Sequence, residues 1–177
     1  MRLRTMLGLL TALVLLAGAA AVQSSPATGF DKLKSLVGEW EGKNEGGTAA
    51  RVSYKLVSGN SALVETLAPA DEPEMVTVYH ADGSRPEGSG LTHYCSAGNQ
   101  PRPEASGRAL AYATGGPGLQ FVFLDATNLA SAAPNVRGGH MQKLAIRFED
   151  NDHFTQRWTW RDKGQEKTEV FHFTRKK

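Results

Sequence analysis

The chain has 177 residues, with 20 Lys and Arg against 18 Asp and Glu, 40% hydrophobic residues and one cysteine, Cys95. That is the length of a single domain with enough apolar material to bury a core, and one thiol excludes an internal disulfide. The nearly balanced charge gives no electrostatic reason to expect nucleic acid or an anionic membrane surface as a partner.

Residues 1–21 read as a secretory signal. Arg2 and Arg4 give a charged start, an apolar run extends from Met6 to Val22, and Ala19-Ala20-Ala21 offers small residues for cleavage. The strongly apolar part is short of a bilayer span, which favours a cleaved signal over a membrane anchor. No Cys follows the run to carry a lipid. The expectation is therefore an exported protein, periplasmic or secreted, without stable membrane insertion after cleavage. Arg2 and Arg4 also account for the formal charge of +2, so the mature chain is neutral.

Residues 22–29 (VQSSPATG) are small and polar, a flexible lead, and residues 30–177 form the domain. Phe30, Leu33 and Leu36 recur at helical spacing, which suits a short N-terminal helical turn plugging one end of a barrel. Residues 36–42 (LVGEWEG) form the first strand. Gly38 two residues before Trp40 lets backbone pass close under a buried indole, and Arg175 near the far end can lay its guanidinium on that ring.

Strands follow at 49–57, with Val52, Tyr54 and Leu56 on one face, at 62–67, at 75–81 and at 91–95. Ser58-Gly59-Asn60-Ser61 has the composition of a hairpin turn, and Asp82-Gly83 begins another. Residues 97–106 (AGNQPRPEAS) read as a Pro-containing loop at a barrel end. Residues 108–113 and 119–124 read as a hairpin around Gly115-Gly116-Pro117-Gly118. Residues 125–139 form the longest stretch without a strand; Asp125 is placed to cap a helical turn, and the length marks a candidate lid or portal.

The last three strands are the clearest. Leu144, Ile146 and Phe148 alternate with charged or small residues, and Phe154, Gln156, Trp158 and Trp160 alternate with His153, Thr155, Arg157 and Thr159. Residues 166–175 close the series. About ten strands in meander order predict an all-β, up-and-down antiparallel barrel rather than a two-sheet sandwich, and a barrel of that size holds an internal cavity.

With Gly38-Glu39-Trp40 at the start and Phe173-Thr174-Arg175 at the end, the chain resembles the calycin superfamily of lipocalins, fatty-acid-binding proteins and nitrobindin-like haem barrels. Residues 75–80, Thr92-His93-Tyr94-Cys95 with Gly98-Asn99-Gln100-Pro101-Arg102, and Asp125-Ala126-Thr127-Asn128-Leu129 are similar to exported bacterial lipocalin-like proteins of unassigned function. The resemblance implies a ligand-holding barrel, with Gly38, Trp40 and Arg175 as structural residues. Two positions depart from that family: Gln142 stands where members carry a second His, and Pro86-Glu87-Gly88 where they carry apolar residues, which suggests a frayed strand. The nitrobindins imply a haem ligand near the C-terminus, but no motif transfers that role to His172.

The candidate ligand-binding residues are Tyr79, His93, Cys95, Asn99, Gln100, Arg102, Trp158 and Trp160. His93 and Cys95, two apart, share a strand face, and His80 joins them if a tight turn at Asp82-Gly83 holds the register. An imidazole beside a thiol can contact a ligand, bind metal or activate a nucleophile, yet two ligands do not make a zinc site. Asn99, Gln100 and Arg102 can orient a carboxylate or carbonyl at a barrel mouth, or simply tie their loop to neighbouring backbone. Trp158 and Trp160, with Phe171 and Phe173, make an aromatic wall. His140 and His153 flank the strand between them and can lie at one barrel end or at opposite ends. No metal ligands, catalytic group or cofactor can be assigned, and no phosphate-binding, dinucleotide or hydrolase motif is present. These residues point to a monomeric barrel binding a small apolar or aromatic molecule, for sequestration or transport. The alternatives are a haem or metal barrel or enzyme using the cavity His and Cys, and a filled barrel serving as an interaction module.

Overall fold

The computed structural model describes residues 29–82, 88–105, 118–129 and 139–177. The signal read at 1–21, the lead up to residue 28, the strand read at 108–113 and positions 130–138 of the long connection lie outside the described residues, as do Pro86 and Glu87.

A six-residue helix, α1 (Gly29–Lys34), precedes ten strands: β1 (Gly38–Asn44), β2 (Ala49–Val57), β3 (Ala62–Pro69), β4 (Met75–Ala81), β5 (Ser89–Tyr94), β6 (Gln100–Ala105), β7 (Gly118–Thr127), β8 (His140–Phe148), β9 (His153–Asp162) and β10 (Gln165–Arg175). Each pairs antiparallel with the next, and β1 pairs with β10, so the sheet closes into an up-and-down barrel. Closure gives the first and last strands of the described barrel each other as partners, which is how an all-β chain satisfies its backbone without a second layer.

Alternation sets which residues point inward. On β2 the inward residues Ala50, Val52 and Tyr54 are buried while Arg51 and Lys55 face water. On β3 they are Leu63, Glu65, Leu67 and Pro69. Residues 144, 146, 154, 171 and 173 bring Leu, Ile and Phe side chains into the same core. Phe30, Leu33 and Leu36 are buried against it from α1 and the turn that follows.

The barrel is closed around Trp40. Its indole N–H donates to the Leu36 carbonyl at 2.7 Å, and Phe154 meets the ring edge-on at 4.7 Å between centroids. The Arg175 guanidinium lies 4.0 Å from the Trp40 ring centre and donates to the carbonyls of Ser35, Val37 and Asn151. One cation thus covers the indole and caps three loose carbonyls. Gly42 permits the close pairing of β1 and β10, because a Cβ there would come within 2.0 Å of the His172 carbonyl oxygen.

Three expectations are corrected. Residues 100–105 form a strand, not a loop: Pro101, Pro103 and Ala105 are buried and Arg102 is exposed. The prolines cannot donate to a ladder, and among the described residues β5 and β6 share one register pair, Gly90 with Glu104, while β6 pairs along its length with β7. Asp125 caps no helix but lies inside β7, which runs on to Thr127. A bulge opposite Arg102 and Pro103 leaves Leu124 unpaired and exposed. Finally, β4 and β5 are not joined by a tight turn at Asp82-Gly83. Ala81 pairs with Ser89, and the Asp82 N–H donates to the Gly88 carbonyl. That register turns Thr77 and Tyr79 inward and puts His80 outside, exposed, with its ring against Gly90.

Candidate ligand cavity

A cavity of about 330 Å³ opens at the end of the barrel where β5 turns into β6. Its apolar wall comprises Leu67, Met75, Met141, Trp158, Trp160 and Phe171. Exposed Glu72, Ser96 and Lys167 stand at its rim, while buried Leu67, His93, Met141 and Phe171 lie deeper. Both tryptophans reach it because β9 alternates from Phe154 and Gln156, which are fully buried in the core.

His93 and Cys95 both line this space. His93 is buried, and its Nδ1 lies 2.9 Å from the Thr77 hydroxyl on β4. Its ring meets that of Trp158 at 4.8 Å. Burial pushes the imidazole pKa down from 6.5 to about 4, so the ring is neutral near pH 7. Cys95 is half-buried; it heads the turn into β6, where its carbonyl accepts the Gly98 N–H, and the Ala97 N–H points at its sulfur at 3.4 Å.

The other four candidates do not line the cavity. Tyr79 is fully buried in the core and donates to Glu65 at 2.7 Å. Asn99 is also fully buried and donates to the Gly139 carbonyl at 2.7 Å; its Oδ1 has no partner among the described residues. Gln100 accepts from Thr127 and Asn128, and Arg102 makes a two-pronged contact with Asp125 on the outer face. Asn99 thus reaches backbone at Gly139, while Gln100 and Arg102 bond to the side chains of Thr127, Asn128 and Asp125.

The remaining histidines sit apart. His140 meets the Phe123 ring at a tilt, 4.2 Å between centroids, while His153 is exposed beside Asp150. They are at opposite ends of the β8–β9 pair, since His140 pairs with Arg161 and Phe148 with Phe154. His172 is exposed on the outer face of β10 and contacts Thr155, so it cannot ligate a haem held inside. Among the described residues no three His, Cys, Asp or Glu side chains are grouped to hold a metal ion.

A polar group that the sequence reading passed over lies behind the cavity. Tyr54, Glu65, Thr77 and His93 pair in register across β2, β3, β4 and β5, so they form one inward row. From the opposite wall Gln156 donates its amide to Tyr54 at 2.7 Å and to Glu65 Oε2 at 2.8 Å, and it accepts the Trp158 indole N–H at 3.0 Å. Burial raises the Glu65 pKa and also those of Tyr54 and Tyr79. The available signal was Glu65 itself, a carboxylate on the same parity as Leu63 and Leu67.

The fold and site together define a closed ten-stranded antiparallel barrel with an aromatic-walled cavity at one end. The chain is similar to the crystal structure of Rv2717c from M. tuberculosis, with a TM-score of 0.56 and 17% sequence identity over 84% of this chain and 98% of that one. At that identity the likeness is one of fold. No protein-family model matches the chain, and no curated protein matches it.

Proposed function

We propose that this chain is an exported, calycin-like protein that holds a small, largely apolar or aromatic molecule in its barrel, for sequestration or transport. The observation that carries the reading is the cavity of about 330 Å³ walled by two tryptophans, Phe171 and two methionines. It falls within the size range of small-molecule sites, which are mostly apolar with a few placed polar groups. Aromatic and thioether side chains supply contact area without fixing a single ligand shape, and the neutral His93 gives the wall one polar point. Export is supported by the Arg2, Arg4 and Met6 to Val22 pattern.

The test is native mass spectrometry with an absorbance spectrum on protein purified from its own exported fraction. A bound mass of a few hundred daltons that leaves on denaturation, on a chain cut near residue 22, is expected. An empty barrel that also refuses apolar fluorescent probes would overturn the reading in favour of a filled interaction module. A Soret band would replace it with a haem protein.

A further inference from the structure

On β10 the residues that face the cavity are Phe171, Glu169 and Lys167, and their register partners on β9 are Gln156, Trp158 and Trp160. Alternation thus sets a carboxylate on the cavity wall, directly across from Trp158 and one inward step from Phe171. An apolar side chain there would have extended the aromatic wall, so a carboxylate at this position asks for a partner.

Glu169 is half-buried and held in place. The Thr48 backbone N–H donates to Asn44 Oδ1 at 2.8 Å, which fixes the orientation of that amide, so Asn44 Nδ2 donates to Glu169 Oε1 at 2.5 Å. Among the described residues Oε2 has no hydrogen-bond partner, and no Lys or Arg pairs with this carboxylate. The other polar groups of the wall supply no cation to it. His93 is buried and neutral near pH 7, Cys95 and Ser96 bring a thiol and a hydroxyl, and Glu72 adds a second carboxylate at the rim. Lys167 is exposed, and its long stem carries the ammonium into water, whereas the shorter Glu169 side chain, one inward step deeper, stays in the wall.

We propose that the cavity takes an organic ammonium: a largely apolar or aromatic molecule with one protonated amine, whose N–H donates to Glu169 Oε2 while its charge lies beside the rings of Trp158 and Phe171. The inference rests on the cavity being a ligand site and adds the charge of the ligand. Asn44 is a positioning residue: it touches no ligand but aims the carboxylate.

The probes are 2-(aminomethyl)naphthalene, protonated at neutral pH, its uncharged isostere 2-ethylnaphthalene, and the anion 2-naphthoate. Their affinities are compared by equilibrium dialysis against the full mature chain. The wild type is expected to bind the ammonium about tenfold more tightly than the anion. In Glu169→Gln, which keeps the shape and an accepting oxygen for Asn44, the ammonium weakens by about five- to twentyfold and 2-ethylnaphthalene stays within about twofold. A salt series on the wild type needs no variant to fold: added salt weakens the ammonium by about threefold and leaves the hydrocarbon's affinity undiminished. An ammonium whose affinity ignores both Glu169→Gln and salt overturns this inference and leaves the cavity reading standing. So does a wild type that prefers the anion and loses it in Lys167→Met. Failure of all three probes to bind overturns the two together.

Discussion

Acid should unfold this barrel through His93. In the folded chain burial holds the imidazole pKa at about 4, against 6.5 for the group in water. Between those values the unfolded chain binds a proton that the folded chain does not, so stability falls as pH is lowered from 6.5 to 4 and is fully present above 6.5. At about 1.4 kcal/mol per unit the loss approaches 3 kcal/mol, an upper figure because the ring borders a cavity. Glu65 has the opposite sign: its raised pKa makes the folded state hold a proton that the unfolded state has lost, so its contribution declines as pH rises above the ordinary carboxylate range. Subtracting the urea stability of His93→Gln from that of the wild type at each pH cancels Glu65 and the surface carboxylates to first order. The difference should be flat from pH 8 to 7 and then fall by about 3 kcal/mol by pH 4, a midpoint change of roughly 1–3 M urea. A flat difference throughout, or an NMR titration of His93 centred near 6.5, would refute the reasoning.

Other outcomes follow from single contacts. Glu65→Leu leaves the Tyr79 hydroxyl and the Gln156 amide without their acceptor and should cost about 2–4 kcal/mol, while Glu65→Gln, which keeps an accepting oxygen, costs less than half as much; urea denaturation distinguishes them. Gly42→Ala drives a methyl onto the His172 carbonyl at the closing seam, and a loss of about 3 kcal/mol, or roughly 10 °C in Tm, should be seen by circular dichroism. Arg175→Met keeps apolar cover on Trp40 but abandons three carbonyls, for a loss of about 2 kcal/mol that Arg175→Lys recovers in part.

The strands best read from sequence are those whose inward residues contrast most with their neighbours. Leu144, Ile146 and Phe148 and then Phe154, Gln156 and Trp158 needed no tertiary information, because a half-buried strand writes its two faces directly into the chain. β6 was illegible for a physical reason: Pro101 and Pro103 carry a turn signature, yet a proline can sit in a strand whose β5 side is sparsely paired. Parity around the site depended on register, and register depends on connections and bulges that composition does not fix. The span from Asp82 to Gly88 decided that Tyr79 and not His80 faces inward, and a bulge at Gln142 interrupts the pairing of β8 with β9. His93, Cys95, Trp158 and Trp160 were legible as one group. Tyr79, Asn99, Gln100 and Arg102 do not line the cavity, and they bond to Glu65, Gly139, Thr127 and Asp125, partners that only the folded register reveals.

The pairing of Trp40 with Arg175 also governs when this protein becomes itself. During synthesis the strands can form hairpins one after another, each from neighbours in sequence, but β1 waits with an unpaired edge until β10 emerges. The ring therefore closes as a final, long-range event joining positions 40 and 175, the kind of contact that slows folding. Until then a ribbon with two adhesive margins is exposed to other copies of itself, and its solubility depends on how quickly β10 arrives.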